Sequence, residues 1–252
     1  GACLAVISCG FFTQRKVVVE SMKLLVNAAR RDGFAKQWRR ESCWDTLACM
    51  SLWLMALVAR GMNSFDRNWA LFAIASLVIT GMACTILHCC RCMAKMVDNF
   101  CYRILESPDY GEAMQEWNLF QALCRTSSGS MQFAFISLQA VAAAVVLLTI
   151  AEVQRGFSGF KEMLPGLFIA LQVTFLSFAA ASVTDKCARV PILVNSMSSH
   201  SDLGQDRMYM VEYIVHSQAG FYVFEVRLTS STVMKMLYVA CAVAFGLASQ
   251  LL

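Results

Sequence analysis

The sequence contains little charge for its length. Only 15% of its 252 residues are Asp, Glu, Lys or Arg, whereas an average soluble domain has about 25%. Hydrophobic residues make up 58% of the chain, and they gather in runs that no single soluble core could cover. The composition therefore predicts an all-α fold: one polytopic membrane bundle over residues 1–252 with long helical extensions outside the bilayer.

Histidine is scarce, and sequence motifs for catalysis are missing. The three histidines are His88, His200 and His216, and their spacing gives neither H-E-x-x-H nor a histidine box. No G-x-S-x-G and no P-loop occurs. We therefore expect no enzyme, no cofactor and no metal. The net charge of +4 is modest and its basic residues lie between apolar runs, so we expect no nucleic-acid partner.

Acidic residues are missing from the middle of every apolar run. A proton-coupled carrier usually needs a buried carboxylate or ion pair in the membrane, so this absence argues against one. Uncharged polar residues inside the runs include Thr80, Thr85, Gln139, Gln172, Thr174 and Gln250.

The apolar runs predict six membrane spans. They cover residues 43–59, 69–90, 131–151, 164–183 and 233–252, preceded by a partial span at residues 1–12. The last run has twenty residues, which at about 1.5 Å per residue crosses a hydrocarbon core of roughly 30 Å. Because the first run is too short to span and begins with Gly1, we expect a fragment that starts inside a helix.

Basic residues predict the orientation of these spans. The first, third and fifth connections hold eight, four and four Lys and Arg residues, whereas the second and fourth hold two each. Since cytoplasmic loops carry the excess of positive charge, the odd connections are predicted to be cytoplasmic and the C-terminus extracytoplasmic. The two short outer loops also lack Cys, as expected if the thiols lie on the reducing side.

The cytoplasmic connections are predicted to contain helices. Residues 13–42 keep an apolar stripe and should continue the first helix into water. Residues 91–130 keep helical periodicity on both sides of Ser107-Pro108-Asp109-Tyr110-Gly111, which predicts a helical hairpin, because Pro and Gly punctuate helices. The longest connection, residues 184–232, contains an apolar periodic stretch at residues 208–216 and a further apolar stretch at residues 220–229.

Three stretches are candidate sites. His88 is followed by Cys89, Cys90 and Cys92 at the cytoplasmic end of a span. These thiols are open to three interpretations, namely plain packing, reversible lipidation or, least favoured by their spacing, a metal site. The aromatic residues Trp53, Trp69 and Phe72, with Gln172, could line a pocket for a small apolar ligand or could simply pack against lipid and core.

The third candidate is the last helix. Small residues recur at Ala240, Ala244 and Ala248 and again at Ala242 and Gly246. Such rows allow close approach of a neighbouring helix, either in ordinary bundle packing or around an axis shared by several copies. Gln250, near the outer end, could help to hydrate a pore or could lie at the level of the lipid headgroups.

The layout resembles the seven-helix gustatory and odorant receptors of insects and their gustatory receptor-like relatives. Their last helix carries Thr-Tyr, five hydrophobic residues, then Gln-Phe. Tyr238 and Phe245 match this signature, whereas Leu237 and Ala244 replace its polar residues. The resemblance implies a chemosensory homotetramer with a central cation pore lined by Tyr238, Ala244, Phe245 and Gln250, a cytoplasmic subunit anchor and an outer ligand pocket.

We therefore expect a ligand-gated ion channel subunit in a lipid bilayer, with the plasma membrane as its compartment. Two alternatives stay open: a monomeric transporter of a neutral solute, and a membrane scaffold that transports nothing. The long periodic cytoplasmic segments favour an assembly over a monomer.

Overall fold

A computed structural model describes residues 19–63, 67–106, 109–154, 160–197 and 204–249. Within these ranges the chain forms seven helices and one short β-hairpin. In chain order they are α1 (19–31), α2 (Ala35–Asn63), α3 (Arg67–Glu106), α4 (Tyr110–Gln154), α5 (Phe160–Ser196), α6 (Gly204–Ser217), β1 (Tyr222–Val223), β2 (Val226–Arg227) and α7 (Ser230–Ser249).

Four helices are long and apolar enough to cross a membrane. They are α2 to α5, with apolar stretches at Ala35–Met62, Trp69–Glu106, Tyr110–Ala151 and Met163–Ser196. This confirms the prediction of a helical protein whose long apolar helices are compatible with a membrane. The 40 residues of α3 correspond to about 60 Å, twice the hydrocarbon thickness, so one helix supplies both a span and an extension.

The predicted count of six spans includes two regions at the ends of the chain. The apolar part of α7, Ser230–Gly246, is shorter than the four helices above. The partial span at residues 1–12 and the last residues of the sixth span, 250–252, lie outside the described residues. Six spans therefore stay a prediction.

The first helical segment ends earlier than predicted. Residues 13–42 were expected to form one continuous helix, but α1 ends at residue 31 and α2 begins at Ala35. Gly33 lies between them with a φ of 78°, the left-handed conformation that commonly terminates helices at glycine. Residues 35–42 therefore belong to α2.

The break between α3 and α4 lies where the sequence predicted it. The carboxylate of Asp109 accepts hydrogen bonds from the backbone N–H groups of Gly111 and Glu112, at 3.0 and 3.1 Å. Since the first N–H groups of a helix lack backbone partners, this acidic cap starts α4. Phe100 then packs on Trp117 with 5.1 Å between ring centroids, which closes the helical hairpin.

Helices that follow one another from α2 to α5 run antiparallel, and α5 lies at the centre. Contacts of Trp53 with Ser76 and of Asp45 with Arg91 pair α2 with α3 in opposite directions. In addition to α2, α3 and α4, α5 packs against α6 and α7. Its surface is correspondingly apolar, and Leu176, Ala180, Ala181 and Val183 are completely buried.

The hairpin β1–β2 was not predicted from the sequence. Val223 pairs with Val226 and Tyr222 with Arg227, so Phe224 and Glu225 form a two-residue loop. Both have positive φ, 46° and 65°, as a type I′ turn requires. The Asn-Gly or Asp-Gly pair that usually indicates such a turn is missing here, so the sequence did not predict it.

Candidate functional site on the last helix

The hairpin positions the start of α7. Phe221 is completely buried and contacts Phe135 with 5.9 Å between ring centroids. Its backbone N–H donates to Thr184 Oγ1 at 2.9 Å, and its carbonyl accepts from Leu228 N at 2.9 Å. These bonds attach the hairpin to α5 and return the chain to the bundle just before α7.

Two polar side chains receive the first N–H groups of α7. Thr229 Oγ1 accepts from Thr232 N at 3.2 Å, a typical N-cap. Asp185 Oδ1 on α5 accepts from Ser230 N at 3.4 Å. The neighbouring Lys186 binds Asp98 of α3 at 2.6 Å, so the base of α7 is fixed to α5, and α5 in turn to α3.

The remainder of α7 lies at the edge of the bundle, where it packs against α4 and α5. One face looks toward these two helices and consists of apolar residues, which we call the inner face: Val233, Leu237, Ala240 and Ala244. The opposite side is exposed and carries the polar side chains of the helix body. We call it the outward stripe: Lys235, Tyr238, Ala242, Phe245 and Ser249.

The structure separates the predicted pore-lining residues. Tyr238 and Phe245, seven residues apart, lie together on the outward stripe with exposed fractions of 76% and 77%. Ala244 lies on the inner face instead. Gln250 lies outside the described residues. Ala240 and Ala244 therefore lie on the side of α4 and α5, although Ala240 is exposed, while Ala242 and Gly246 lie on the outward side, where a Cβ added to Gly246 would meet no atom within 4 Å.

The residues of the predicted aromatic pocket lie along the contact between α2 and α3. Trp53 Nε1 donates to Ser76 Oγ at 3.1 Å, and Ser76 in turn donates to the Phe72 carbonyl at 2.7 Å. Trp69 Nε1 points at the Leu57 carbonyl, 3.5 Å away. These contacts join α2 to α3 and satisfy both indole groups.

Gln172 belongs to a separate polar contact of α5. It is 2% exposed, and its Oε1 accepts from Thr80 Oγ1 of α3 at 3.3 Å. Its Nε2 has no hydrogen-bond partner among the described residues. The structure thus brings Trp53 and Phe72 together around Ser76 and places Gln172 on another helix pair.

An apolar cleft of about 540 Å³ lies instead between α4, α5 and α7. The inner face of α7 forms one wall. The opposite wall includes a polar pair, in which Gln139 Nε2 of α4 donates to Ser177 Oγ of α5 at 2.7 Å. Sequence reasoning had singled out Gln139 and Thr174 as polar residues within spans, but it had not connected them with each other or with α7.

The thiols of the His88 stretch face the interior of the bundle. Cys89, Cys90 and Cys92 are at most 1% exposed, and Cys92 Sγ lies 3.7 Å from the Leu25 carbonyl of α1. This burial favours packing over acylation, because an acyl chain on any of them would displace core side chains. Within the described ranges, no three His, Cys, Asp or Glu side chains converge in a way that could hold a metal ion.

Charged residues of α2, α3 and α5 form a network close to the connections predicted to be cytoplasmic. Arg91 donates to both carboxylate oxygens of Asp45 at 2.5 and 3.0 Å. Lys95 lies 2.8 Å from Glu41 and 4.0 Å from Asp98, which also binds Lys186. From the sequence, these residues were considered only as charges that orient the spans in the membrane. Their opposite signs at corresponding positions of neighbouring helices could have indicated that they form ion pairs.

The chain matches neither a known protein family nor a curated protein in sequence comparisons.

Proposed function

We propose that the chain is a subunit of a receptor-like, ligand-gated ion channel in a membrane. Four copies would assemble with their α7 helices around a central pore, as the resemblance to gustatory receptor-like proteins suggests. The proposal includes six spans, an extracytoplasmic C-terminus and a plasma-membrane location.

The observation that carries this proposal is the distribution of side chains around α7. The helix is exposed on the side away from α4 and α5, and this side carries Lys235, the Tyr238 hydroxyl and Ser249. The inner face, by contrast, is wholly apolar. A helix in contact with lipid alone would be expected to have the reverse pattern, because polar groups in hydrocarbon cost free energy.

Small residues between the polar ones support close assembly. Ala242 and Gly246 lie four residues apart on the exposed side, and such spacing lets neighbouring backbones approach. The aromatic rings of Tyr238 and Phe245 flank them. In a tetramer, these positions would give each subunit an equivalent narrow surface facing the axis.

Exposed apolar residues at the other end of the molecule offer a second contact between subunits. Met208 and Tyr209 of α6 are 69% and 60% exposed, and Val226 of the hairpin is 61% exposed. They belong to the connection predicted to be cytoplasmic, where no lipid would cover them. Apolar patches exposed to water commonly mark interfaces, so we assign the subunit anchor to this region.

A gating ligand would act by binding the open arrangement of the four α7 helices more tightly than the closed one. The base of α7 is fixed through Thr229, Asp185 and the hairpin. Movement is therefore expected in the body of the helix, which packs against α4 and α5.

The experiment combines native mass spectrometry with conductance recordings. We expect the full-length parent protein, gently extracted from membranes, to have the mass of four chains. Ala242→Trp, on the outward stripe, should reduce the current to near zero without changing that mass. Leu148→Trp is the control, because Leu148 is 64% exposed on α4 and does not line the cleft between α4 and α7, and it should leave the current unchanged.

Two results would overturn the proposal: a monomeric mass, or an unchanged current in Ala242→Trp. A monomer that shows saturable uptake of a neutral solute would replace the channel with a carrier. An assembled protein that passes no ions under any ligand tested would indicate a scaffold. Ala244→Trp is not an equivalent variant, because Ala244 faces the chain's own cleft.

A further inference from the structure

The cleft between α4, α5 and α7 has the size and lining of a ligand site. Its volume of about 540 Å³ falls within the roughly 300–1,000 Å³ of typical small-molecule pockets. Among the described residues, no Lys, Arg, Asp or Glu lines it. Three apolar helices form its walls, through residues that include Ile136, Ala143, Val146, Ala170, Val233 and Ala240.

The polar groups in the cleft are one amide and two hydroxyls. Gln139 donates one N–H of its amide to Ser177 Oγ at 2.7 Å, and Ser177 donates onward to the Val173 carbonyl at 2.8 Å. Thr174 donates to the Ala170 carbonyl at 2.9 Å. Because both hydroxyl protons are already used, the groups left for a ligand are the second N–H and the Oε1 of the amide. Gln139 Oε1 has no hydrogen-bond partner among the described residues.

We propose that this cleft binds an apolar, membrane-dissolved molecule that carries one hydroxyl group. The hydrocarbon body fills the cleft and contacts its apolar walls, and the hydroxyl donates a hydrogen bond to Gln139 Oε1. A fatty acid fits poorly, because no cation among the described lining residues would pair with its carboxylate in this apolar environment. A plain alkane fills the walls but leaves the amide oxygen unpaired in an apolar environment, which costs free energy.

The opening of the cleft favours entry from the membrane. Its walls α4 and α5 are two of the helices long and apolar enough to span, and Gln139 and Ser177 lie well inside those apolar stretches. The surroundings of the opening would thus be lipid, so a hydrophobic alcohol reaches it without crossing water. Either a sterol or a long-chain alcohol supplies this chemistry.

The bound molecule would contact α7 directly. The inner face of α7, with Leu237, Ala240 and Ala244, forms one wall, so an occupant would fix the separation of α7 from α4 and α5. Binding itself does not depend on conduction. Only the consequence, a change in channel opening, rests on the proposed function.

Photoaffinity labelling of the full-length protein in liposomes tests the site. The probes are a diazirine-bearing sterol and a diazirine-bearing sixteen-carbon alcohol, with cross-links mapped by peptide mass spectrometry. We expect saturable labelling on α4, α5 and α7 by at least one probe. The unlabelled alcohol should compete about tenfold better than the matched alkane or carboxylic acid, the factor expected from one hydrogen bond.

Variants then identify the polar contact. Gln139→Leu should weaken alcohol binding about tenfold and abolish the preference for alcohol over alkane. Gln115→Leu, the same change at an exposed position of α4, should change neither. The competition series on the unaltered protein tests the same contact even where Gln139→Leu fails to fold.

Unsaturable labelling spread over all apolar helices would overturn the site, since it would show only surrounding lipid. Equal competition by alcohol, acid and alkane would overturn the hydroxyl contact. Specific labelling of a protein that conducts no ions would keep the site and reject the channel. Conduction without specific labelling would keep the channel and reject the ligand site. The two proposals can therefore be rejected separately.

Discussion

At the scale of single residues, the Asp45–Arg91 pair shows how burial changes the value of an ion pair. The side chain of Asp45 is 10% exposed and that of Arg91 is 38% exposed. The Asp98–Lys186 pair has similar distances but side chains that are 45% and 36% exposed. The buried carboxylate has lost more hydration, so it depends more on its partner.

Asp45→Asn should lower the free energy of unfolding by roughly 1–3 kcal/mol, less than for a fully buried pair because Arg91 is partly exposed. The measurement is unfolding in a denaturing detergent, followed by tryptophan fluorescence. Asp98→Asn makes the same chemical change at an exposed pair and should cost at most about 1 kcal/mol. Equal losses for both variants would contradict the dependence on burial.

Gly220 is required by a close approach between the hairpin and α5. A Cβ at this position would lie 2.8 Å from Thr184 Oγ1 and 3.2 Å from Arg227 Nε. Thr184 is completely buried and accepts the hydrogen bond from Phe221 N, so it cannot move away freely. The glycine therefore determines how tightly the hairpin seats against α5.

Gly220→Ala should destabilise the protein by about 1–3 kcal/mol through this overpacking. Gly81→Ala is the matched control, because Gly81 lies in α3 with no atom within 4 Å of an added Cβ. That change should stabilise by up to about 1 kcal/mol, since alanine favours a helix. Melting temperatures of both purified variants measure the difference, and shifts of the same sign would contradict the predicted clash.

Single residues were harder to predict than helices. The polar residue Gln139 was recognisable within a span, but Ser177 lies 38 residues away and only the antiparallel packing of α4 and α5 brings them together. The same limit applies to the predicted pocket at Trp53 and Phe72. Aromatic residues signal burial, and sequence alone does not distinguish a cavity wall from a filled interface.

At the scale of secondary-structure elements, the long helices could be predicted from the sequence and the short elements could not. The spans predicted at residues 69–90 and 131–151 lie inside α3 and α4, because apolar runs of that length have few other structures available. The break at Gly33 and the hairpin at residues 222–227 depend on the backbone conformation of one or two residues. Composition and periodicity carry little information about either.

The turn of the hairpin predicts a stabilising substitution. Glu225 has a φ of 65°, a conformation that costs non-glycine residues roughly 1–2 kcal/mol. Glu225→Gly should recover about 1 kcal/mol of stability, less the entropy that glycine loses on folding. Its side chain is exposed, so little contact energy is lost.

Glu225→Ala separates backbone relief from loss of charge, because it removes the carboxylate but keeps the Cβ. We expect its melting temperature to stay close to that of the unaltered protein. If both variants stabilise equally, the charge and not the backbone conformation is responsible. If Glu225→Gly destabilises, the turn is not strained.

At the scale of the whole molecule, one helix connects the separate parts. α5 contacts α2, α3, α4, α6 and α7, so the packed bundle, the base of α7 and the hairpin share a common support. The charged network of α2 and α3 reaches α5 through Asp98 and Lys186. The base of α7 therefore shares α5 as a support with α2 and α3, which are also joined by their own ion pair.

The order and type of the long helices followed from the sequence, whereas their mutual packing did not. Apolar length predicted the helices, whereas the orientation predicted from the basic residues stays a prediction. The outward side of α7 was not predictable, because Ala240, Ala242, Ala244 and Gly246 are similar residues on both sides of the helix. Which of them faces α4 and α5 depends on contacts made by distant residues.

The predicted orientation determines on which side of the membrane each connection lies. Sixteen Lys and Arg residues lie in the first, third and fifth connections and four in the second and fourth. Since basic loops are retained in the cytoplasm, an Asn-Gly-Ser glycosylation acceptor inserted in the second or fourth connection should be modified during synthesis with microsomes. The same insert between α3 and α4 should stay unmodified.

An insert after α7 is the control, because it should also be modified if the C-terminus is extracytoplasmic. Modification between α3 and α4 would invert the whole arrangement, and it would place the exposed residues of α6 and the hairpin outside the cell instead of at a cytoplasmic anchor.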